Sequence, residues 1–388
     1  MPTLFLLALI IIAFIVQRWS MKNALKGVEY HCEPSRRLAA SGEIFELITT
    51  LTNRSFRFIP FIQMTEALPK TAVVHSAGAV VDRSYYSGEA GHVSKVYLMP
   101  RSRLVRHVPI SIPDRGRYLF MWAVLRGGDF LGLSENYEKL KNSNFNEVVI
   151  YPQAAAGDYV SEVVGGFLGD LSVRRFIIED PVLTVGFKEY TGREPMKAIS
   201  WPQSARAGRM MVKSFDYTTE LSVSVVLNVE ISGASETSEF AESTKPVEST
   251  EFAGSIEITE SSEKASRLIL IENCLSITHT VCRILEDRKI KYDFFSNIVA
   301  LGSLGRWDYI GEGLGQGHFQ IILEGLGRAS YAASEPFEVL MERVMGKQTD
   351  ARSIIFITAG SEAEVRALLK GRDEGRGVVI SGERIVGA

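Results

Sequence analysis

The chain has 388 residues, 46% of them hydrophobic and 23% charged, and 43 basic against 46 acidic side chains leave a formal net charge of −3. That apolar content excludes disorder throughout, the near-neutral balance gives no global basic field for nucleic acid, and three cysteines cannot form a disulfide scaffold over this length. At about 150 residues per domain, two or three domains are predicted.

The first segment, residues 1–17, carries no charge before Arg18. At ~1.5 Å per residue it reaches roughly 25 Å, the short end of what crosses a ~30 Å hydrocarbon core, and Arg18 and Trp19 stand where a snorkelling cation and an interfacial indole extend the span. No basic residue precedes the run, as a signal peptide would require, and no polar face interrupts it, as a core helix would normally show. A transmembrane anchor over residues 1–20 is therefore predicted, entering the lipid bilayer through residues 1–17. Arg18, Lys22, Lys26, Arg36 and Arg37 follow it, whereas the N-terminal flank has no basic side chain. The positive-inside bias then predicts a single-pass protein of the cell membrane with the bulk of the chain in the cytoplasm. Cys32, Cys274 and Cys282 lack CxxC spacing and suit that compartment as free thiols.

Residues 28–152 read as a β-rich domain. Short runs at 44–51, 72–75, 92–97, 105–112, 117–123 and 148–151 are separated by Asn53, Pro60, Gly78, Gly91, Pro113 and Gly127-Gly128, with no long helical periodicity between them. Strands at this spacing predict a β-sandwich of immunoglobulin-like class.

Residues 153–388 read as α/β. The run 221–229 (LSVSVVLNV) has the near-continuous apolar character of a strand covered on both faces. Leu268, Ile271, Leu275, Thr278, Cys282 and Leu285 then fall on one helical face. Strands at 292–298, 353–358 and 377–380 alternate with helices at 319–326, 337–344 and 363–370, which predicts a mostly parallel sheet. The Ser-, Thr- and Glu-rich stretch 232–262, with its echo SEFA and TEFA at Ser238 and Thr250, has too little apolar surface to offset its ordering entropy and is predicted to be an acidic flexible insertion.

No GxxxxGK[ST], HExxH, CxxC pair or GxSxG occurs. Gly311, Gly313, Gly315 and Gly317 imitate a nucleotide loop, but the spacing is wrong and no strand leads directly into it. Six scattered histidines have no ligand spacing, so neither catalytic residues nor a cofactor are predicted. The distinctive stretch is 187–216 (FKEYTGREPMKAISWPQSARAGRMMVKSFD), in which Arg193, Lys197, Arg206, Arg209 and Lys213 face Glu189 and Glu194, with Tyr190 and Trp201 among them. Basic residues mixed with aromatics could serve nucleic acid. The stretch is short, the protein is acidic overall, and the segment runs straight into the apolar strand, so a bracing role through carboxylate to guanidinium bonds is preferred and no nucleic acid partner is expected.

The order Tyr190, Glu194, Lys197, Ile199, Trp201, Ala205, Arg206 resembles the signature Y-x(3)-D-x(2)-R-x-I-x-W-x(3)-A-R of the "domain of unknown function 58" (DUF58) family, of bacterial membrane proteins. DRGRYLF at Asp114, GDFLGL at Gly128 and YP at Tyr151 agree with it, and the likeness spans nearly the whole chain. Glu194 stands for Asp, Lys197 for Arg and Arg193 for the usual Gly, and one N-terminal apolar run is present where members usually have two. The resemblance implies a C-terminal domain similar to a von Willebrand factor type A fold, whose metal-ion-dependent adhesion site, D-x-S-x-S, follows the first strand. The matching positions here read Asn228, Glu230 and Ser232, a degenerate set that keeps one hydroxyl, so no metal is expected. Members are often encoded beside MoxR-type AAA+ ATPases and transglutaminase-like membrane proteins, so a MoxR-type AAA+ ATPase is the partner implied. A non-enzymatic, membrane-anchored interaction or scaffold protein is the leading expectation, with an outward-facing cell-surface binding module as the alternative.

Overall fold

The computed structural model describes residues 25–385, apart from 77, 87–88, 129–134, 143–145, 176–183, 193, 216–221, 232–255, 303–306, 348–351, 364 and 367–376. The anchor expected over residues 1–20, Arg193, Ser232 and most of the expected acidic insertion lie outside the described residues. The architecture is mixed α and β, mostly strand, with five helices and several sheets among the described residues. Two compact units divide the chain, one of residues 1–153 with 323–329, the other of residues 154–322 with 330–388.

In the first unit, strands β1 (Val28–Pro34), β2 (Leu38–Ala40), β3 (Ile44–Asn53), β4 (Ile59–Pro69), β5 (Val73–Val74) and β6 (Val80–Tyr86) are followed by β7 (Glu89–Leu98), β8 (Arg103–Ser111), β9 (Gly116–Leu119), β10 (Trp122–Gly128), β11 (Glu135–Lys141) and β12 (Glu147–Tyr151). They form sheets of order β1-β3-β8-β5, β11-β10-β4-β7-β6 and β2-β12-β9. Alternation builds the core: Phe45, Leu47 and Leu51 of β3, Ile62, Met64 and Leu68 of β4, and Val108 and Ile110 of β8 share one buried cluster. A polar exception lies inside it. Glu66 of β4 accepts hydrogen bonds from Thr49 of β3 and pairs with His92 Nδ1 of β7 at 3.0 Å, all three being buried. A buried carboxylate without such partners would cost several kcal/mol. Burial also pushes the nearby Cys32 thiol up to about 12.

Two features depart from simple patterning. The run at 117–123 splits at Phe120 and Met121 into β9, which pairs with β12, and β10, which pairs with β4, so one apolar stretch feeds two sheets. Pro60 suggests a break, yet it lies in β4, a central strand. A register shift between Ile59 and Ile62 takes up its missing donor there.

The second unit contains α1 (Tyr159–Arg175), β13 (Thr184–Glu189), α2 (Trp201–Ala207), β14 (Met211–Phe215), β15 (Ser222–Asn228), α3 (Ile256–Asp287) and β16 (Lys291–Ser296). After these come β17 (Ile298–Ala300), β18 (Tyr309–Gly313), α4 (Gln316–Arg328), β19 (Ala329–Ala333), α5 (Phe337–Lys347), β20 (Ser353–Thr358) and β21 (Gly377–Ser381), with the second half of α4 and the first residue of β19, residues 323–329, falling in the first unit. The main sheet runs β18-β16-β15-β20-β21, parallel except for the antiparallel edge strand β18. Val226, Phe295 and Phe356 pack on Leu340, Met341 and Val344 of α5. Val225, Leu227, Ile355 and Ile357 are equally buried on the other face, and α3 contacts β15, β16 and β20. This two-sided cover explains the unbroken apolar runs.

Helix α3 begins before the predicted amphipathic face. Residues 256–262, expected in the acidic insertion, belong to it, because extending an existing helix costs far less than nucleating one and glutamate is a good helix former. Among the described residues its segment Ala265–Asp287 is the one candidate span, long and apolar enough to cross a membrane by length and composition, with 56% of its 18-residue apolar stretch buried. Ile271, Leu275, Thr278, Cys282 and Leu285 are all buried, as in a core helix lying on a sheet. Helix α1 had no clear periodic signal, since Gly165, Gly166 and Gly169 dilute it.

Candidate functional site

The chain leaves β15 for β16 on one side and returns later to β20 on the other, so the carboxyl ends of β15 and β20 form a topological switch point, where open parallel sheets place ligands. Asn228 ends β15 and pairs in register with Thr358, which ends β20. A cleft of about 530 Å³ opens there, lined by Ile231, Leu270, Gly360, Ser361, Arg366 and Glu383. Beside the lining residues Leu270 and Glu383 is a close approach: a Cβ on Gly382 would come within 2.8 Å of both Cys274 Sγ and Leu270 O. Asn273 Nδ2 donates to Gly382 O at 3.0 Å across the same contact.

Two of the expected adhesion-site positions, Asn228 and Glu230, lie at this crest, and their hydrogen bonds run to the protein itself, whereas Ser232 lies outside the described residues. Asn228 Oδ1 accepts from Glu230 N at 3.1 Å and from Asn297 Nδ2 at 2.7 Å, while Asn228 Nδ2 donates to Thr358 Oγ1 at 3.1 Å. Asn297 Oδ1 accepts from Val229 N at 3.0 Å. Glu230 Oε2 accepts from Phe337 N, the first residue of α5, where a carboxylate satisfies an orphan amide and opposes the helix dipole. A hard-cation site needs several free oxygens in one cradle. Asn228 has none to spare and Glu230 is engaged with α5, so these residues do not fit a metal of the adhesion-site type. No group of three or more His, Cys, Asp or Glu among the described residues could hold a metal ion. Asn297 and Thr358, both fully buried, are the partners that sequence reasoning missed. Thr358 closes the apolar strand β20 and Asn297 follows β16, but neither position tells which residue it pairs with.

The signature residues gather in a separate module. Strands β13 and β14 pair antiparallel, and the 3-10 turn Met196–Ala198 and α2 fill the connection. Ile199 is buried with Ala198 and Val212, and Tyr190 packs against them. Ser204 Oγ donates to Ser200 O at 2.8 Å and accepts from Met211 N at 2.8 Å, which ties α2 to β14. Glu194 accepts from Thr191 N at 3.0 Å and meets Lys188 Nζ at 3.3 Å. The Thr191 amide, with help from the Thr191 hydroxyl and Lys188, holds its carboxyl down to about 2. Glu189 meets Arg209 at 3.1 Å. These carboxylates therefore brace the hairpin itself, a more local role than bracing the whole α/β domain. Lys197, Ala205 and Arg206 are exposed, and Trp201 and Met196 are 66% and 71% exposed.

The glycine run also has a structural explanation, although contrary to expectation a strand does lead into it, since Gly311 and Gly313 belong to β18. Gly315 N, at the start of α4, donates to Glu286 Oε2 at 2.8 Å, and Tyr292 Oη donates to Glu286 Oε1 at 3.1 Å. A carboxylate of the chain itself thus fills the place at a helix N-terminus where a nucleotide loop would hold phosphate. Burial lowers the neighbouring His318 below its ordinary value.

Scanned against family models the chain matches none, and no curated protein matches it. Solved structures resemble parts of it. The CARDB domain of the PF1109 protein of Pyrococcus furiosus is 12% identical over 32% of this chain and 86% of that one, at a TM-score of 0.20. A cohesin module from a Clostridium perfringens family 33 glycoside hydrolase is 14% identical over 32% of this chain and 98% of that one, at 0.22. The sporulation control protein Spo0M of Bacillus subtilis is 8% identical over 42% and 58%, at 0.19. Likenesses of this size assign neither fold nor function.

Proposed function

We propose that this is a membrane-anchored, non-enzymatic interaction protein of the DUF58 family, single-pass with its bulk in the cytoplasm, working with a MoxR-type AAA+ ATPase. The first unit would be an immunoglobulin-like sandwich and the second a von Willebrand factor A-like domain whose adhesion site has lost its metal. The family assignment rests on the spacing of Tyr190, Glu194, Lys197, Ile199, Trp201, Ala205 and Arg206. One observation carries the binding role. Signature residues split into a buried half, Ile199 with Tyr190 packed beside it, and an exposed half, Trp201, Lys197 and Arg206. An exposed indole flanked in sequence by exposed cations is in the residue mix enriched at interface hot spots. The inward-turned crest supports a non-catalytic reading, since its polar atoms are spent on one another. Three buried free thiols suit a reducing compartment.

Capture tests the partner. Solubilised membranes under nucleotide-trapping conditions should yield the ATPase with the wild-type chain and lose it with Trp201→Ala or Arg206→Glu. Recovery of no ATPase with the wild type would remove that partner. Labelling of an introduced surface thiol by an impermeant reagent in intact cells would instead favour the outward-facing alternative.

A further inference from the structure

We propose that one end of the first unit, built from the β3–β4 and β7–β8 turns, is a docking surface for an anionic lipid bilayer. The inference rests on the membrane-anchor reading and adds to it a face of the folded protein.

This end is where the chain enters the fold. Gly27 O accepts from Arg54 N at 2.8 Å, and Gly27 lies against Ser55, so residues 25–28 join the unit at the β3–β4 turn. Nine residues, or ten Cα-to-Cα steps, separate Gln17, the end of the uncharged run, from Gly27. Fully extended, they reach at most ~35 Å, so this end lies close to any bilayer that holds residues 1–17.

The two turns are a built surface. Asn53, buried at 1% exposure, donates through Nδ2 to Arg57 O at 2.7 Å and to Met99 O at 2.9 Å, while its Oδ1 accepts from Ser55 N at 3.0 Å. Arg101 N donates to Ser55 O at 3.0 Å, locking one turn to the other. Arg101 is held at φ 49°, in the left-handed region where glycine is the usual occupant, so a charged side chain is kept at a position that disfavours it. Its guanidinium lies 3.9 Å over the Phe56 ring.

The surface has the composition of a membrane interface. Phe56 is 75% exposed, Tyr97 62% and Met99 53%, with Phe58 beside Tyr97 at 6.4 Å between ring centroids. Across residues 25–29, 53–59 and 97–103 there are five basic side chains, Lys26, Arg54, Arg57, Arg101 and Arg103, against one carboxylate, Glu29, which pairs with Arg54 at 2.7 Å. Aromatic rings seat at the headgroup level and arginines attract anionic lipid, so the two features together fit a charged bilayer better than they fit water.

The test uses the full chain in nanodiscs of phosphatidylcholine, with or without phosphatidylglycerol. A fluorophore on Pro100→Cys reports the turn, since the native thiols are buried. With phosphatidylglycerol, the probe should be quenched by brominated lipid and shielded from iodide. Arg101→Gly, which relieves the left-handed strain, and Phe56→Glu should each restore iodide access without lowering the melting temperature. Arg101→Gly should weaken the docked state by roughly five-fold. A probe open to iodide in both bilayers while the chain resists carbonate extraction would overturn the docking surface and keep the anchor. A chain released by carbonate yet shielded on phosphatidylglycerol at neutral pH would keep the surface and remove the anchor. Shielding that ignores lipid charge and shows no lipid quenching would mean that protein covers the turn, and would overturn the proposal.

Discussion

The crest at the ends of β15 and β20 and the hairpin module of β13 and β14 use polar residues in opposite ways. At the crest, Asn228, Asn297 and Thr358 sit at the switch point of a parallel sheet and spend their hydrogen bonds on one another and on the backbone. In the hairpin, Glu194 and Ser204 secure the scaffold while Trp201, Lys197 and Arg206 face water. Topology alone would put function at the crest. A strand-end position where ligands usually bind becomes a structural knot once its donors and acceptors are mutually satisfied, whereas the hairpin keeps Trp201, Lys197 and Arg206 exposed.

The largest effect expected is at the knot. Asn297→Leu fills the space but strands Val229 N and one Asn228 acceptor in the interior, so unfolding in urea should show a loss of about 2–4 kcal/mol. A loss below about 1 kcal/mol would mean the knot is not structural. Glu286→Ala comes next. Uncapping the start of α4 should cost about 1–2 kcal/mol, and added phosphate should raise the melting temperature of the variant but not of the wild type. Equal responses to phosphate would refute the filled-site account of the glycine run.

The Glu194 carboxyl supplies a pH test. Its folded value, about 2, lies below the usual carboxylate range near about 4, so its contribution is complete above that range and fades as pH falls towards 2. The stability gap between wild type and Glu194→Gln should therefore be full at neutral pH and close on acidification between about 4 and about 2. A gap independent of pH would contradict the bond to Thr191. The smallest change expected is for Trp201→Ala, within about 0.5 kcal/mol of wild type, because the indole is exposed.

Much of the second unit was legible because two-sided burial writes long apolar runs, as SIIFIT shows by matching β20 residue for residue. Helix α1 and strand β4 were not, because glycines and a bulged proline break the patterns that carry those signals. The residues of 190–206 were singled out by their likeness to a family signature, and Asn228 and Glu230 only by what that resemblance implies. Which of them face inward could not be found in this way, since Asn297 and Thr358 are 69 and 130 residues away from Asn228 in the chain. Long-range pairing of this kind leaves no local trace. The lower edge of α3 was misjudged for a related reason: the Ser, Thr and Glu of 256–262 read as a solvated loop, yet the segment continues a helix anchored further along.

One paired measurement bears most directly on the account: melting temperature and ATPase capture, side by side, for Asn228→Ala and Trp201→Ala. The account predicts that Asn228→Ala melts lower yet still captures the partner, and that Trp201→Ala melts as wild type and captures nothing. Capture lost with Asn228→Ala at unchanged melting temperature, and kept with Trp201→Ala, would place the binding surface at the crest and contradict it.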